Sequence, residues 1–204
     1  MRVALLFYGR LRFFDKTYNN FMKVFEGHTI DIFYSADNES EEEIEEFKRL
    51  YNPIAVNNTA IVHSIDYSMY PLPPDYGVNP ANMIRHFINL RRVCELMETN
   101  TSTIYDVAVC TRLDIMISSV SLPIIKPPEN TIYIPNGFDY FGINDRFAMG
   151  DVETVKKYML LIDNCKYLFD NKLAFPHPET VALANLKFHN ISIVRFHMEY
   201  SLLR

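Results

Sequence analysis

Arg112 and Asp114 fall inside an otherwise apolar stretch, YDVAVCTRLDIMIS, running from Tyr105 to Ser118. Val107 to Cys110 carry no charge, which suits a strand buried on both faces of a mostly parallel sheet. A carboxylate in such surroundings must be paired, bound to a cation or set at a solvent-facing edge, because an unpaired buried charge is too costly. Ligands of open α/β sheets sit at the carboxyl ends of strands. Asp114 is therefore the first candidate for function, with Arg112 beside it. Two chemistries are open. Hard cations such as Mg²⁺ or Mn²⁺ take one or two protein carboxylates together with substrate phosphates, or Asp114 simply pairs with Arg112.

Gly9-Arg10-Leu11-Arg12 follows an apolar run, Val3 to Tyr8, and so lies at the end of a first strand. It lacks the GxGxxG spacing that brings a helix start against a dinucleotide pyrophosphate, which disfavours a nicotinamide or flavin cofactor. Two arginines can still meet a diphosphate through charge-assisted bonds; the alternative is a pair of ordinary surface arginines at a helix start. Asp145, in DYFGINDRFAMG between Asp139 and Gly150, can accept hydroxyl hydrogen bonds from a sugar or cap a turn. Glu179, in His177-Pro178-Glu179, stands at a helix start where the macrodipole favours a carboxylate in any case. His197, after the last strand, could close a metal site or be structural.

The elements that must position these residues alternate. Tyr18, Phe21, Met22 and Phe25 recur at helical spacing before Gly27, and Ile30 to Tyr34 reads as a second strand. Ser40 with Glu43 makes a capping box ahead of an acidic helix start that Asn52-Pro53 closes. Ile54 to Val56 is a third strand, which Ile61 to Ile65 would extend or pair with. Asp66 to Pro80, rich in Pro and Tyr, reads as a lid or binding loop. Asn79-Pro80 opens a helix that feeds the Tyr105 strand. Then come strands at Thr131 to Ile134 and around Phe147 to Met149, a helix capped by Asp151, a helix from Pro178 to about His189, and a last strand from Ile191 to Arg195. This order predicts an α/β fold, a central parallel or mixed sheet flanked by helices on both faces.

Composition excludes several function classes. The 204 residues, 49% hydrophobic and 22% charged, suit one globular domain. A formal charge of −5 argues against bulk nucleic-acid binding, which needs Lys and Arg against phosphates. Three widely spaced cysteines without CxxC suggest neither a disulfide framework nor structural zinc, and point to a reducing compartment. No run approaches a membrane span, and the start is too short for a signal peptide, so a cytoplasmic location is expected.

FYGRLRFFDKTYNNF near the start, YDVAVCTRLDIMI, NDRFAMGD and the closing PHPETVALANLKFHNISIVRF together resemble a glycosyltransferase family with the GT-A fold, including N-terminal domains of large viral enzymes that decorate capsid protein. The resemblance runs in order over nearly the whole chain. It implies a Rossmann-like GT-A sheet, a domain from a longer polypeptide, and, for a viral protein, the host cytoplasm. It also implies transfer of a sugar from a nucleoside diphosphate donor, UDP-linked, to a glycan or glycoprotein acceptor, with retention of configuration. In that family an Asp-x-Asp motif holds Mn²⁺ or Mg²⁺ on the diphosphate. The corresponding triplet here is Arg112-Leu113-Asp114, with Arg in the first position. The implied site therefore has Asp114 and His197 for the metal, Gly9, Arg10, Arg12, Arg85 and Arg112 for the donor, and Asp145 and Glu179 for catalysis. Two rival readings are another nucleotide-dependent enzyme, such as a nucleotidyltransferase, and a non-catalytic glycan-binding module.

Overall fold

The computed structural model describes residues 1–71, 79–100, 102–120 and 125–204. Its centre is a seven-stranded, mostly parallel sheet flanked by helices. The chain starts with β1 (Arg2–Tyr8), α1 (Phe14–Val24), β2 (Thr29–Ser35), α2 (Glu41–Tyr51) and β3 (Ala55–Asn57), and β1, β2 and β3 lie side by side and parallel. A long helix, α3 (Pro80–Asn100), then carries the chain back across β1 to β4 (Val107–Arg112), which pairs with the free side of β1 in parallel. Strand order thus reverses between β1 and β4. That is the switch point at which open α/β sheets leave a crevice for ligands.

Beyond β4 the order is β7 (Phe147–Gly150), β6 (Thr131–Pro135) and β8 (Ser192–Phe196), with β7 antiparallel to both neighbours and β6 parallel to β8. Helices α4 (Val152–Met159), α5 (Cys165–Asp170) and α6 (Pro178–Phe188) fall between β7 and β8. A separate two-stranded ribbon joins β5 (Ile115–Val120) to β9 (Met198–Leu202). The apolar stretch around Asp114 thus continues into a strand of a second sheet, and β9 lies beyond the last strand expected from the sequence, Ile191 to Arg195. The stretch from Ile61 to Ile65, expected to extend or pair with the third strand, forms no strand. The lid expected between Asp66 and Pro80 lies outside the described residues at positions 72–78.

The apolar run of β1 is unbroken because both of its faces are covered. Val3, Leu5 and Phe7 pack with α1 and α2, including Phe21 and Phe47, while Ala4, Leu6 and Tyr8 pack with α3, including Phe87 and Leu90. Each buried side chain of this size contributes about 1.5–3 kcal/mol, so two cores clamp β1 in register. The capping box forms as its spacing predicts: Ser40 Oγ accepts from Glu43 N at 3.2 Å, and the Glu43 carboxylate accepts from Ser40 N at 3.3 Å. Asp151 caps α4 in the same way, accepting from Thr154 N at 3.0 Å. Cys94, Cys110 and Cys165 are free and buried, and burial pushes the Cys94 and Cys165 thiols up to about 12, which leaves them inert. Among the described residues no helix is long and apolar enough to cross a membrane.

Candidate functional site

A cleft of about 570 Å³ opens at the β1/β4 switch point. Its floor comes from the ends of the two strands, where Tyr8 pairs in register with Arg112, and one wall comes from the first turns of α3. Four arginines line it: Arg10 and Arg12 from the turn after β1, Arg85 from α3, and Arg112 from β4. Gly9 makes that turn possible. Its φ of +94° is a left-handed conformation that a side chain would strain, and its amide donates to Ser35 O at 3.0 Å. Tyr34 donates its hydroxyl to Gly9 O at 2.7 Å, so the arginine-bearing turn is pinned to β2. All five residues expected at the donor therefore come together.

The two carboxylates lining the cleft are both paired. Arg112 donates from Nε to Asp114 Oδ1 at 2.8 Å and from Nη2 to Asp114 Oδ2 at 2.5 Å, and Arg85 pairs with Asp37. Burial opposes the charge of Arg112, but the bonds and charge of Asp114 outweigh it and raise its pKa. Arg10 and Arg12 are exposed and have no ion pair among the described residues. Asp37 was not anticipated, although it follows the second strand at its carboxyl end, where ligand-facing residues belong.

His197 does not join Asp114. Ile115, next to Asp114, pairs with Leu202, whereas Met198, next to His197, pairs with Val120 at the other end of the ribbon. Five residues of strand separate those ends by roughly 16 Å. The expectation that His197 closes a metal site with Asp114 is corrected accordingly: the ribbon of β5 and β9 holds the two apart. His197 is exposed, with Nε2 3.4 Å from Glu199 Oε1. As oxygen donors, Asp114 and Asp37 suit Mn²⁺ or Mg²⁺, but each is engaged by an arginine, and among the described residues no three His, Cys, Asp or Glu side chains converge on one point.

Behind the cleft lies a second group, built on buried polar residues. Asn144 fixes the loop before β7: its Nδ2 donates to Gly137 O and to the Tyr200 hydroxyl, both at 2.9 Å, and its Oδ1 accepts from Arg146 N at 3.0 Å. This turns Asp145 inward. Tyr8 donates to Asp145 O at 2.7 Å, and Asp145 Oδ2 stands 3.6 Å from His86 Nε2. His86 itself lines the cleft, so Asp145 borders it from behind. Burial holds the His86 imidazole below its usual pKa, despite the opposing charge of Asp145, so it is neutral near pH 7.

Glu179 is buried at the start of α6, with Oε2 2.7 Å from His177 Nδ1. Burial raises its pKa and the charge of Asp145 adds to that, while the His177 contact works the other way. The backbone of Gly142 is laid against it. A Cβ at Gly142 would fall 1.9 Å from Glu179 O, and Ile143 N donates to that same oxygen at 3.0 Å. Only glycine permits this approach, and it ties the Asp145 loop to Glu179. The pairing of His86 with Asp145 was not visible in the sequence, where His86 is flanked only by Arg85 and Phe87, whereas His177 stands two residues from Glu179.

A second cavity, of about 990 Å³, opens on the other side of α6. Tyr70, Phe141, Phe169 and Phe175 line it, with Lys172 and Lys187 among its polar groups. Tyr140 and Phe141 reach their exposed positions through left-handed backbone, φ 36° and 65°. No protein-family model matches the chain, and no curated protein matches it at a significant level.

Proposed function

We propose that the chain is a GT-A-type glycosyltransferase that moves a sugar from a UDP-linked donor to a glycan or glycoprotein acceptor. The observation that carries this reading is the convergence of Arg10, Arg12, Arg85 and Arg112 at the switch point between β1 and β4. Four guanidinium groups face the carboxylates of Asp37 and Asp114 in the cleft, with Glu39 close enough to act on Arg10 and Arg12, and this predominance of arginine suits the negative charge on the diphosphate of a nucleotide sugar. Arg10 and Arg12 are available to stabilise the charge that develops as the diphosphate departs. Asp145, bordering the cleft beside neutral His86, is suited to accept hydroxyl hydrogen bonds from the reacting sugar. Glu179, whose pKa burial raises, stands next to Thr180, which lines the aromatic cavity, and the aromatic lining there suits the apolar faces of an acceptor glycan.

Mn²⁺ or Mg²⁺, with Asp114 as its carboxylate ligand, would neutralise charge on the leaving diphosphate. Retention of configuration is the stereochemical outcome that the sequence resemblance supports. The aromatic cavity also favours a second reading, a glycan-binding module without catalysis. Calorimetric titration with UDP-sugars and with nucleoside triphosphates, together with slow UDP-sugar hydrolysis in the absence of acceptor, tests the proposal. UDP-sugar binding with hydrolysis supports a glycosyltransferase. Turnover of triphosphates alone indicates a nucleotidyltransferase, and glycan binding indifferent to nucleotide indicates the module.

A further inference from the structure

The aromatic cavity beside α6 carries a charge pattern that its apolar lining does not require. Its carboxylate, Asp170, is already engaged: Lys166 donates from Nζ to Asp170 Oδ2 at 2.6 Å, and the Tyr70 hydroxyl donates to Asp170 Oδ1 at 2.5 Å. Lys172 and Lys187 line the same cavity, the first from the turn after α5 and the second from the last turn of α6. Neither has an ion pair or a side-chain hydrogen bond among the described residues. The negative end of the helix accounts for a lysine at position 187, but Lys172 sits in left-handed backbone, φ 56°, where glycine or asparagine would cost less.

The rings set the rest of the ligand's chemistry. Phe141 is 74% exposed, and Tyr70 and Phe175 are half-buried. Flat apolar surface beside ammonium groups suits a sugar that is apolar on its faces and charged at its edge, whereas a neutral sugar or an acyl chain would leave both lysines without an anion. The volume of about 990 Å³ stands at the upper end of small-ligand sites, about 300–1,000 Å³, which leaves room for more than one sugar ring. Resting on the reading of this cavity as a glycan site, we infer that it takes an acidic oligosaccharide, one whose sugars carry carboxylates. The sugar faces pack on the aromatic side chains, and Lys172 and Lys187 pair with the carboxylates.

Calorimetric titration of the full chain with a galacturonic acid tetramer and a hyaluronan tetrasaccharide, each beside its methyl ester, tests this in the presence of saturating UDP, which occupies the arginine cleft. At least one acid is expected to bind at least about tenfold tighter than its uncharged ester. In the double variant Lys172→Gln with Lys187→Gln the acid should fall to the affinity of the ester, with an unchanged melting temperature because both side chains are exposed. Phe141→Ala should weaken the acid while both lysines remain. Acids bound no better than their esters, undiminished affinity in either variant, or binding that appears only when UDP is left out, which would place the acid among the arginines, overturns the inference. Titration with UDP-sugar separates this from failure of the transferase reading. UDP-sugar bound without either acid overturns only the acidic ligand, and acid bound without UDP-sugar overturns the transferase and leaves this cavity as the site of a glycan-binding module.

Discussion

Asp145 presents Oδ2 to His86 Nε2 at 3.6 Å, while its backbone carbonyl, not its carboxylate, accepts the Tyr8 hydroxyl at 2.7 Å. The side chain is thus left to chemistry while the main chain holds the loop. Asp145→Asn should therefore keep the fold, shift the melting temperature little, leave UDP affinity nearly unchanged and cut sugar transfer sharply. Loss of UDP binding, measured by calorimetry, would show that this carboxylate serves the nucleotide instead.

Arg10→Ala and Arg12→Ala should each raise the UDP dissociation constant by a charge-assisted hydrogen bond, about 1.5–3 kcal/mol. Neither arginine has an ion-pair partner among the described residues, so chemical denaturation midpoints should stay put. If both variants bind UDP as the unaltered chain does, the phosphate site is elsewhere.

Gly142→Ala should disturb the Glu179 side while sparing the arginine cleft. The added Cβ would lie 1.9 Å from Glu179 O, a backbone atom that cannot rotate away. Overpacking of this kind costs about 1–3 kcal/mol. A lower melting temperature and reduced transfer with UDP affinity preserved is the expected pattern, and a melting temperature equal to that of the unaltered chain would contradict the close approach.

Two buried groups give opposite pH dependences. The pKa of Glu179 is raised in the folded state, so the folded chain holds its proton more tightly, and stability falls as pH rises above the usual 4.5. The pKa of His86 is lowered, so stability falls as pH drops below 6.5. The two slopes partly cancel between those values. Urea unfolding across this range should show stability rising more steeply with pH in Glu179→Gln and less steeply in His86→Gln. Parallel curves for all three chains would contradict the assigned shifts.

The sheet was legible because its strands, buried on both faces, leave unbroken apolar runs such as VALLFY and VAVC, and because Ser40, Glu43 and Asp151 mark helix starts by local bonds alone. The arginine cleft was legible for a related reason: Arg10 and Arg12 lie in the turn just past β1, and Arg112 is the last residue of β4. What is set by distant contacts was not. The β5 and β9 ribbon pairs residues about eighty positions apart, and its register, invisible in the sequence, is what separates His197 from Asp114. The pairing of His86 with Asp145 likewise arises only when α3 crosses the sheet and the loop before β7 folds back toward it.

The central claim is that the cleft between β1 and β4 binds the diphosphate of a nucleotide sugar. Isothermal calorimetry with a panel of UDP-sugars in Mn²⁺, on the unaltered chain and on the double variant Arg10→Ala with Arg12→Ala, tests it most directly. One site per chain is expected, competed by UDP and weakened at least about tenfold in the double variant, since that is about 1.4 kcal/mol. Absence of binding up to millimolar UDP-sugar, or equal affinity in the two chains, would contradict it.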